Sequence, residues 1–321
     1  RIENKFNFKT YCPITYVFDY GMNIIFWIKT NFQQRALTKT LINRMLLMCC
    51  MFMNLYRRIT QAHEVFKVSI ALFRMWPFAA WIRFWITTKP ETIVNVNGIK
   101  LAVRTKNFFT RIADVSMAYE CVIRDDYNLR GLKPHKESFI IDIGAHIGSF
   151  SIAAAKKYPN ARILSFEPSP SNYRLLKKNI SLNKCKNIAA FGKAVTSHGK
   201  RVHLYIDASN PAESGLYARK NKRVDALSIN LEKVFRDFRI KKCALVKMDC
   251  EGSEYDIILN TPDYVLKKIE AMVIEYHKPE HFGITDRTHR LPNLIRRLEK
   301  SGFACTTKRS KSYQGVLTAR R

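Results

Sequence analysis

From residue 138 onward, short continuous apolar runs alternate with longer stretches of helical period. The runs at 138–143, 162–167, 188–193, 243–249 and 270–276 read as strands, because a strand covered on both faces is apolar at nearly every position. The stretches at 149–157, 170–182, 253–260 and 288–300 read as helices. Strand then helix, repeated, predicts an α/β domain built on a parallel, doubly wound sheet. Upstream, Ile93–Val103 alternates around Asn97-Gly98, the pair favoured where both central residues of a hairpin turn need positive φ. A helix is expected from about 111 to 124. Residues 201–206 and 222–229 are expected to form an extra ribbon, and 303–307 with 312–317 to supply edge strands.

The first part of the chain has a different texture. Residues 1–90 are rich in Met, Phe, Trp and Tyr, poor in Gly, and basic with few acids. They read as a helical N-terminal extension, with helices over 35–75, and Thr88-Lys-Pro-Glu91 marks the boundary to an α/β domain at 91–321. The apolar run Met45–Tyr56 is 12 residues long between Arg44 and Arg57, too short to span a bilayer. The aromatic cluster Trp76–Trp85, flanked by Arg74 and Arg83, suits a membrane interface, where amphipathic rings sit at headgroup level. The alternative is a helical cap whose aromatics fill its own core.

Charge changes the picture more than composition does. The 321 residues can bury a sizeable core, and the apolar fraction of 47% is ordinary. The formal net charge of +29 is not ordinary; it implies an acidic partner, whether anionic lipid, anionic glycan or nucleic acid. The eight cysteines form no C-x-x-C pair and no Cys/His cluster of zinc spacing, so reduced, buried thiols in a reducing, cytoplasmic compartment are expected. The vicinal pair Cys49-Cys50 reads either as packed thiols or as an acylation site beside a membrane.

The chemistry concentrates at strand ends. Phe139-Ile-Ile-Asp-Ile-Gly-Ala-His-Ile-Gly148 is a strand, an acid and a glycine turn, followed by a helix start at Ser149. Gly144 and Gly148 let the backbone approach a ligand. The spacing is D-x-G-x-x-x-G rather than the G-x-G-x-x-G of a dinucleotide site, which favours a ligand without a pyrophosphate, and S-adenosylmethionine fits. The next strand ends in Glu167, placed to accept hydrogen bonds from ribose hydroxyls. A third strand end carries Lys247-Met-Asp249-Cys-Glu251-Gly252-Ser-Glu254. Acids so crowded repel unless a positive group sits among them; a sulfonium, a metal ion or Lys247 can serve. The last strand ends in Glu275-Tyr-His277. His277 ranks first as general base for an acceptor hydroxyl, with Asp249 second and Glu275 beside them. No ligand spacing demands a metal among Asp249, Glu251 and Glu275, and none is assigned.

These motifs fall in one order: Asp142-x-Gly144-Ala145-x-x-Gly148, Phe166-Glu167-Pro168-Ser-Pro170-Ser-Asn172, Asn179 and Asn183, Ala194-Val195, Lys247 to Glu254, and Glu275-Tyr-His277. In that order the chain resembles the FkbM-type family of S-adenosylmethionine-dependent methyltransferases over about 93–304, including Thr110–Asp114 and Glu120 to Tyr127. The resemblance implies a class I, Rossmann-like methyltransferase fold and O-methylation of a sugar or related metabolite. It implies that Gly144 and Gly148 line the methionine part of the cofactor, Glu167 the ribose, and Ala194 and Val195 the adenine, with Ala145 and His146 also binding the cofactor. Asp142 then orders the loop or holds the cofactor's amino group through water, and Asp249 is counted among the cofactor-binding residues. His146 stands where the family more often has Asn. The expected acceptor is a glycan, glycolipid or related metabolite, with peripheral membrane contact through residues 1–90. The rival readings are a nucleic-acid methyltransferase, suggested by the charge, and a catalytically silent binding module at a membrane surface.

Overall fold

The computed structural model describes residues 69–70, 76, 78–206, 222–282, 284–286, 288–309 and 313–321, which apart from Ser69 fall in the compact unit Ile70–Arg321. The strands are β1 (Glu91–Val96), β2 (Ile99–Arg104), β3 (Phe139–Ile143), β4 (Arg162–Phe166), β5 (Ile188–Phe191), β6 (Ala194–Val195), β7 (Val202–Ile206), β8 (Lys222–Ala226), β9 (Ser228–Ile229), β10 (Cys243–Met248), β11 (Ala271–His277), β12 (Ala304–Arg309) and β13 (Gln314–Arg320). The central sheet has seven strands in the order β12-β13-β11-β10-β3-β4-β5. From β3 the chain moves through β4 to β5 on one side, and later through β10 to β11 on the other. The strand order therefore reverses at β3, the place where open α/β sheets bind ligands beyond their carboxyl ends.

The apolar runs form strands because both sheet faces are covered. All of Phe139–Ile143 and Cys243–Met248 is buried. Successive residues alternate sides: Ile140, Ile163, Leu245 and Val273 pack with Phe150 and Ala154 on one face, while Ile141, Leu164, Val246 and Met272 join the larger core on the other. The helices Ser149–Lys157 and Pro170–Leu182 fall where the periodicity puts them.

The structure corrects four expectations. The sheet is mixed, because β13 runs antiparallel to both β11 and β12. Only β12 is an edge strand there; β13 lies inside the sheet, inserted as the second arm of a hairpin. The segment 222–229 splits at Leu227. Lys222–Ala226 pairs antiparallel with Val202–Ile206, whereas Ser228–Ile229 pairs in parallel with Ala194–Val195. The last helix begins at Leu291 rather than 288, because the Asp286 carboxylate accepts from Thr288 N at 2.8 Å in a local turn and Pro292 suits a helix start.

The hairpin turns at Asn97 and Gly98, whose φ values are +49° and +81°. Two asparagines of helix Pro170–Leu182 and its cap bind β2, the inner strand of that hairpin. Asn179 Oδ1 accepts from Ala102 N at 2.6 Å, and its Nδ2 donates to Ile147 O at 2.9 Å. Asn183 Oδ1 accepts from Lys100 N at 3.0 Å and its Nδ2 donates to Lys100 O at 2.6 Å. Residues four apart on the helix meet residues two apart on the strand. Asn179 thereby ties the hairpin to the glycine turn.

Helix Phe78–Ile86 packs on this unit. The buried Arg111 guanidinium donates to Phe84 O at 3.0 Å, Trp85 O at 2.6 Å and Thr87 O at 2.9 Å, satisfying carbonyls at the helix end. Trp76 Nε1 donates to Asn95 O at 2.6 Å, and the Trp76, Phe84 and Trp85 rings meet edge to face. The expected helices at 35–75, apart from Ser69 and Ile70, and the thiols Cys12, Cys49 and Cys50 lie outside the described residues. Cys121 and Cys243 are buried, and Cys185, Cys250 and Cys305 half-buried; all are free thiols. No helix among the described residues is long and apolar enough to cross a membrane.

Candidate active site

Two turns at the carboxyl end of the sheet touch through their backbones. After β3, Gly144, His146 and Gly148 all have positive φ, at +76°, +52° and +93°. Gly144 N and Ala145 N both donate to Phe166 O at 3.0 Å. After β10, Glu251 and Gly252 have φ of +54° and +100°, and Asp249 N donates to Ile143 O at 3.0 Å. A Cβ on Gly144 would lie 1.8 Å from Asp249 O, and one on Gly148 would lie 2.6 Å from Leu176 Cδ1. Gly144 is therefore required by close approach to backbone as well as by conformation, and Gly148 by conformation.

A buried ion pair anchors these turns. Lys247 Nζ lies 3.2 Å from Asp142 Oδ1 and 4.0 Å from Asp249 Oδ2, and donates to Gly144 O at 2.8 Å. Ser151 donates to the other Asp142 oxygen at 2.5 Å. Burial alone would depress the Lys247 pKa, but Asp142 and then Asp249 outweigh it and hold the amine above its ordinary range. Of the roles expected for Asp142, the structure supplies loop ordering: the carboxylate is fully buried, and its contacts are Lys247 and Ser151.

Glu167 is held by the first turn. Its Oε2 accepts from His146 N at 2.7 Å, and its Oε1 from Ser169 N at 2.9 Å and Asn172 Nδ2 at 3.3 Å. Burial raises its pKa to about 7, against the lowering effect of these three donors. The His146 ring is fixed by Arg104, whose Nη2 lies 2.8 Å from His146 Nε2. Arg104 also pairs with the buried Asp114 at 2.5 Å and donates to Asn172 at 2.9 Å. Burial lowers the His146 pKa to about 4, with Asp114 opposing and Arg104 assisting. The ring is thus neutral at pH 7. Its Nε2 accepts from Arg104, which leaves the proton on Nδ1. Arg104 carried no signal in the sequence beyond ending an alternating strand.

The acids of the second turn surround His277. Its Nδ1 lies 3.3 Å from Glu254 Oε1, and its Nε2 lies 3.7 Å from Glu251 Oε2 and 4.0 Å from Glu275 Oε1. Burial opposes the charged imidazole, but Glu254, Glu251 and Asp249 together outweigh it and raise the pKa to about 10. Glu275 is raised to about 8 by burial and by Asp249, with His277 opposing. The Tyr127 hydroxyl lies 3.3 Å from both Asp249 Oδ2 and Glu275 Oε2. Glu254 also accepts from Gly252 N at 3.0 Å and Cys250 N at 3.1 Å, closing the turn.

Between the two turns opens a cleft. Gly144, His146, Glu167, Ala194, Val195 and Asp249 line it. Asp142, Ala145 and Gly148 do not; they build the turn behind it. Glu275 and His277 also stand back from it. Glu254, Glu251 and Asp249 keep a proton on His277, which does not line the cleft, whereas Asp249 forms part of the wall. The cleft's donor set fits S-adenosylmethionine. Phe166, Pro168, Val195 and Leu204 offer an apolar wall for a base and Glu167 an acceptor for a ribose. His146 Nδ1 and Ser149 Oγ are buried polar atoms with no partner among the described residues, which a polar ligand at the glycine turn would satisfy.

A strand order that reverses beside a glycine turn, with a carboxylate ending the next strand, defines a nucleoside-binding α/β enzyme of the class I methyltransferase type. Residues 142–304 match the profile of the methyltransferase FkbM domain, and the chain belongs to that family. S-adenosylmethionine is accordingly its cofactor. Among curated relatives, the chain is 28% identical over 218 residues to methyltransferase sdnD of Sordaria araneosa, a match covering 57% of this chain and 81% of that one. It is 26% identical over 194 residues to methyltransferase 1 of Beauveria bassiana, covering 54% and 75%. Among solved structures, TYW2 of M. jannaschii in complex with AdoMet superposes with a TM-score of 0.40 at 18% identity, over 73% of this chain and 87% of that one.

Proposed function

We propose that the chain transfers the methyl group of S-adenosylmethionine to a hydroxyl oxygen of a glycan, glycolipid or related metabolite. The observation that carries the oxygen acceptor is the carboxylate pair at the cleft. Asp249 forms its wall, and Glu275 stands behind, linked through the Tyr127 hydroxyl at 3.3 Å to each. The bound cofactor supplies an electrophilic methyl group. The residues must hold the acceptor oxygen in line with it, exclude water and receive the hydroxyl proton. Asp249 is placed to orient the hydroxyl and to take its proton. Glu167 and the glycine turn hold the nucleoside and amino-acid ends. The net charge of +29 favours an anionic acceptor. The free thiols among the described residues support a reducing compartment.

The test is transfer of labelled methyl from S-adenosylmethionine to a panel of acidic and neutral glycans, glycolipids and RNA. Label in an alkali-stable ether of a glycan or glycolipid is the expected result. Label confined to nitrogen or carbon, or none transferred by a protein that binds the cofactor, overturns the oxygen-acceptor reading.

A further inference from the structure

We propose that Asp249, Glu251 and His277 bind one divalent cation of the manganese class at the wall of the cofactor cleft. Each offers one ligand atom, and the three atoms lie within 4.8 Å of one another. A cation with bonds of about 2.1–2.4 Å holds its ligands about 3–4.5 Å apart, so small side-chain movements close the set. Two carboxylates and an imidazole suit a cation that accepts both oxygen and nitrogen.

Two observations beyond the grouping of acids point to a ligand. First, His277 is 2% exposed, and its Nδ1 is engaged by Glu254 Oε1 at 3.3 Å. Its Nε2 faces Glu251 Oε2 at 3.7 Å and Glu275 Oε1 at 4.0 Å, both beyond hydrogen-bond length. A carboxylate behind one ring nitrogen, with the other directed at carboxylate oxygens, is how ligating histidines are oriented. Second, Ser253 is 1% exposed and lines the same cleft, and its Oγ has no partner among the described residues. A polar ligand or cation-bound water at this end would supply one. Charge balance agrees. Asp249, Glu251, Glu254 and Glu275 meet around one imidazole, while the nearby Lys247 sits closer to Asp142, at 3.2 Å, than to Asp249, at 4.0 Å. A cation here would hold the acceptor hydroxyl by its oxygen and make its proton easier to lose. That role rests on the methyl-transfer reading; binding of the cation does not.

The test is a titration of Mn²⁺ into the full chain without cofactor, followed by loss of the free-ion electron paramagnetic resonance signal. One ion per chain is expected, with ¹⁴N modulation from an imidazole in the pulsed spectrum. Glu251→Gln, whose side chain is half-buried, should weaken binding by at least about tenfold, and His277→Gln should abolish the ¹⁴N modulation. Absence of saturable binding, equal binding in Glu251→Gln, or bound Mn²⁺ without ¹⁴N modulation in the wild type overturns the site. Should His277→Gln not fold, the wild-type spectrum and Glu251→Gln decide. Cofactor titration of the same samples separates the two readings. Cofactor binding without Mn²⁺ binding sinks the cation site alone, and Mn²⁺ binding without methyl transfer to oxygen sinks the acceptor reading alone.

Discussion

Replacing Lys247 by Met should cost this fold more than any surface lysine could. The side chain is 2% exposed and Asp142 is fully buried. Methionine keeps much of the apolar stem but leaves the Asp142 carboxylate with Ser151 as its remaining polar contact, at 2.5 Å. Breaking a buried pair by removing one partner costs about 3–5 kcal/mol. The hydrogen bond to Gly144 O and the Tyr127 ring, 5.2 Å away, add about 1 kcal/mol. The expected loss is therefore about 4–6 kcal/mol, or roughly 8–24 °C in melting temperature for a unit of this size. Asp142→Asn combined with Lys247→Met removes both charges and keeps an acceptor for Ser151. The double variant should be more stable than Lys247→Met alone, giving a coupling of at least about 2 kcal/mol in a double-mutant cycle. Urea denaturation of the four proteins measures it. Because Asp142 and Asp249 hold the Lys247 amine above its ordinary range, the coupling should not change between about pH 6 and 9. Additive single effects, or a Lys247→Met variant within about 1 kcal/mol of the wild type, would refute the argument that this pair anchors the glycine turn.

Gly144→Ala should lose about 2–4 kcal/mol, from positive φ and from the clash with Asp249 O. It should also weaken S-adenosylmethionine binding at least tenfold by calorimetry, whereas unchanged melting and affinity would mean that the two turns do not meet. Glu167 makes a pH prediction. Burial raises its pKa from 4.5 to about 7, so the folded chain holds a proton that the unfolded chain has released. Its contribution to stability therefore falls as pH rises from about 4.5 to 7 and is flat above. Ribose donors want the ionised carboxylate, so cofactor affinity should rise over the same window. Glu167→Gln should remove both dependences in melts and titrations from pH 5 to 8, and a wild-type affinity independent of pH would count against the ribose contact.

Much of this protein was legible from local pattern. Continuous apolar runs announced β3 and β10, because strands covered on both faces have nowhere to place polar residues except at functional positions. Helices 149–157 and 170–182 were visible from period and from their flanking Gly148 and Pro170. The glycine turn was visible because close backbone approach demands glycine at fixed spacing, and Glu167 because an acid ends the next apolar strand. The position of β13 was not, since an antiparallel insertion depends on which strand edge remains open after β11 has docked. Nor was the chemical state of any site residue. His277 looked like a base when seen beside Glu275 alone; Glu254 and Glu251, more than twenty residues away in sequence, hold its proton. Arg104 and Asp114 fix the His146 ring across two separate elements. Sequence by itself determined which segments could be buried and where the chain must bend. Tertiary structure decided which charges face one another and which are sealed from water, because electrostatic energy depends on distances and burial that no local pattern contains.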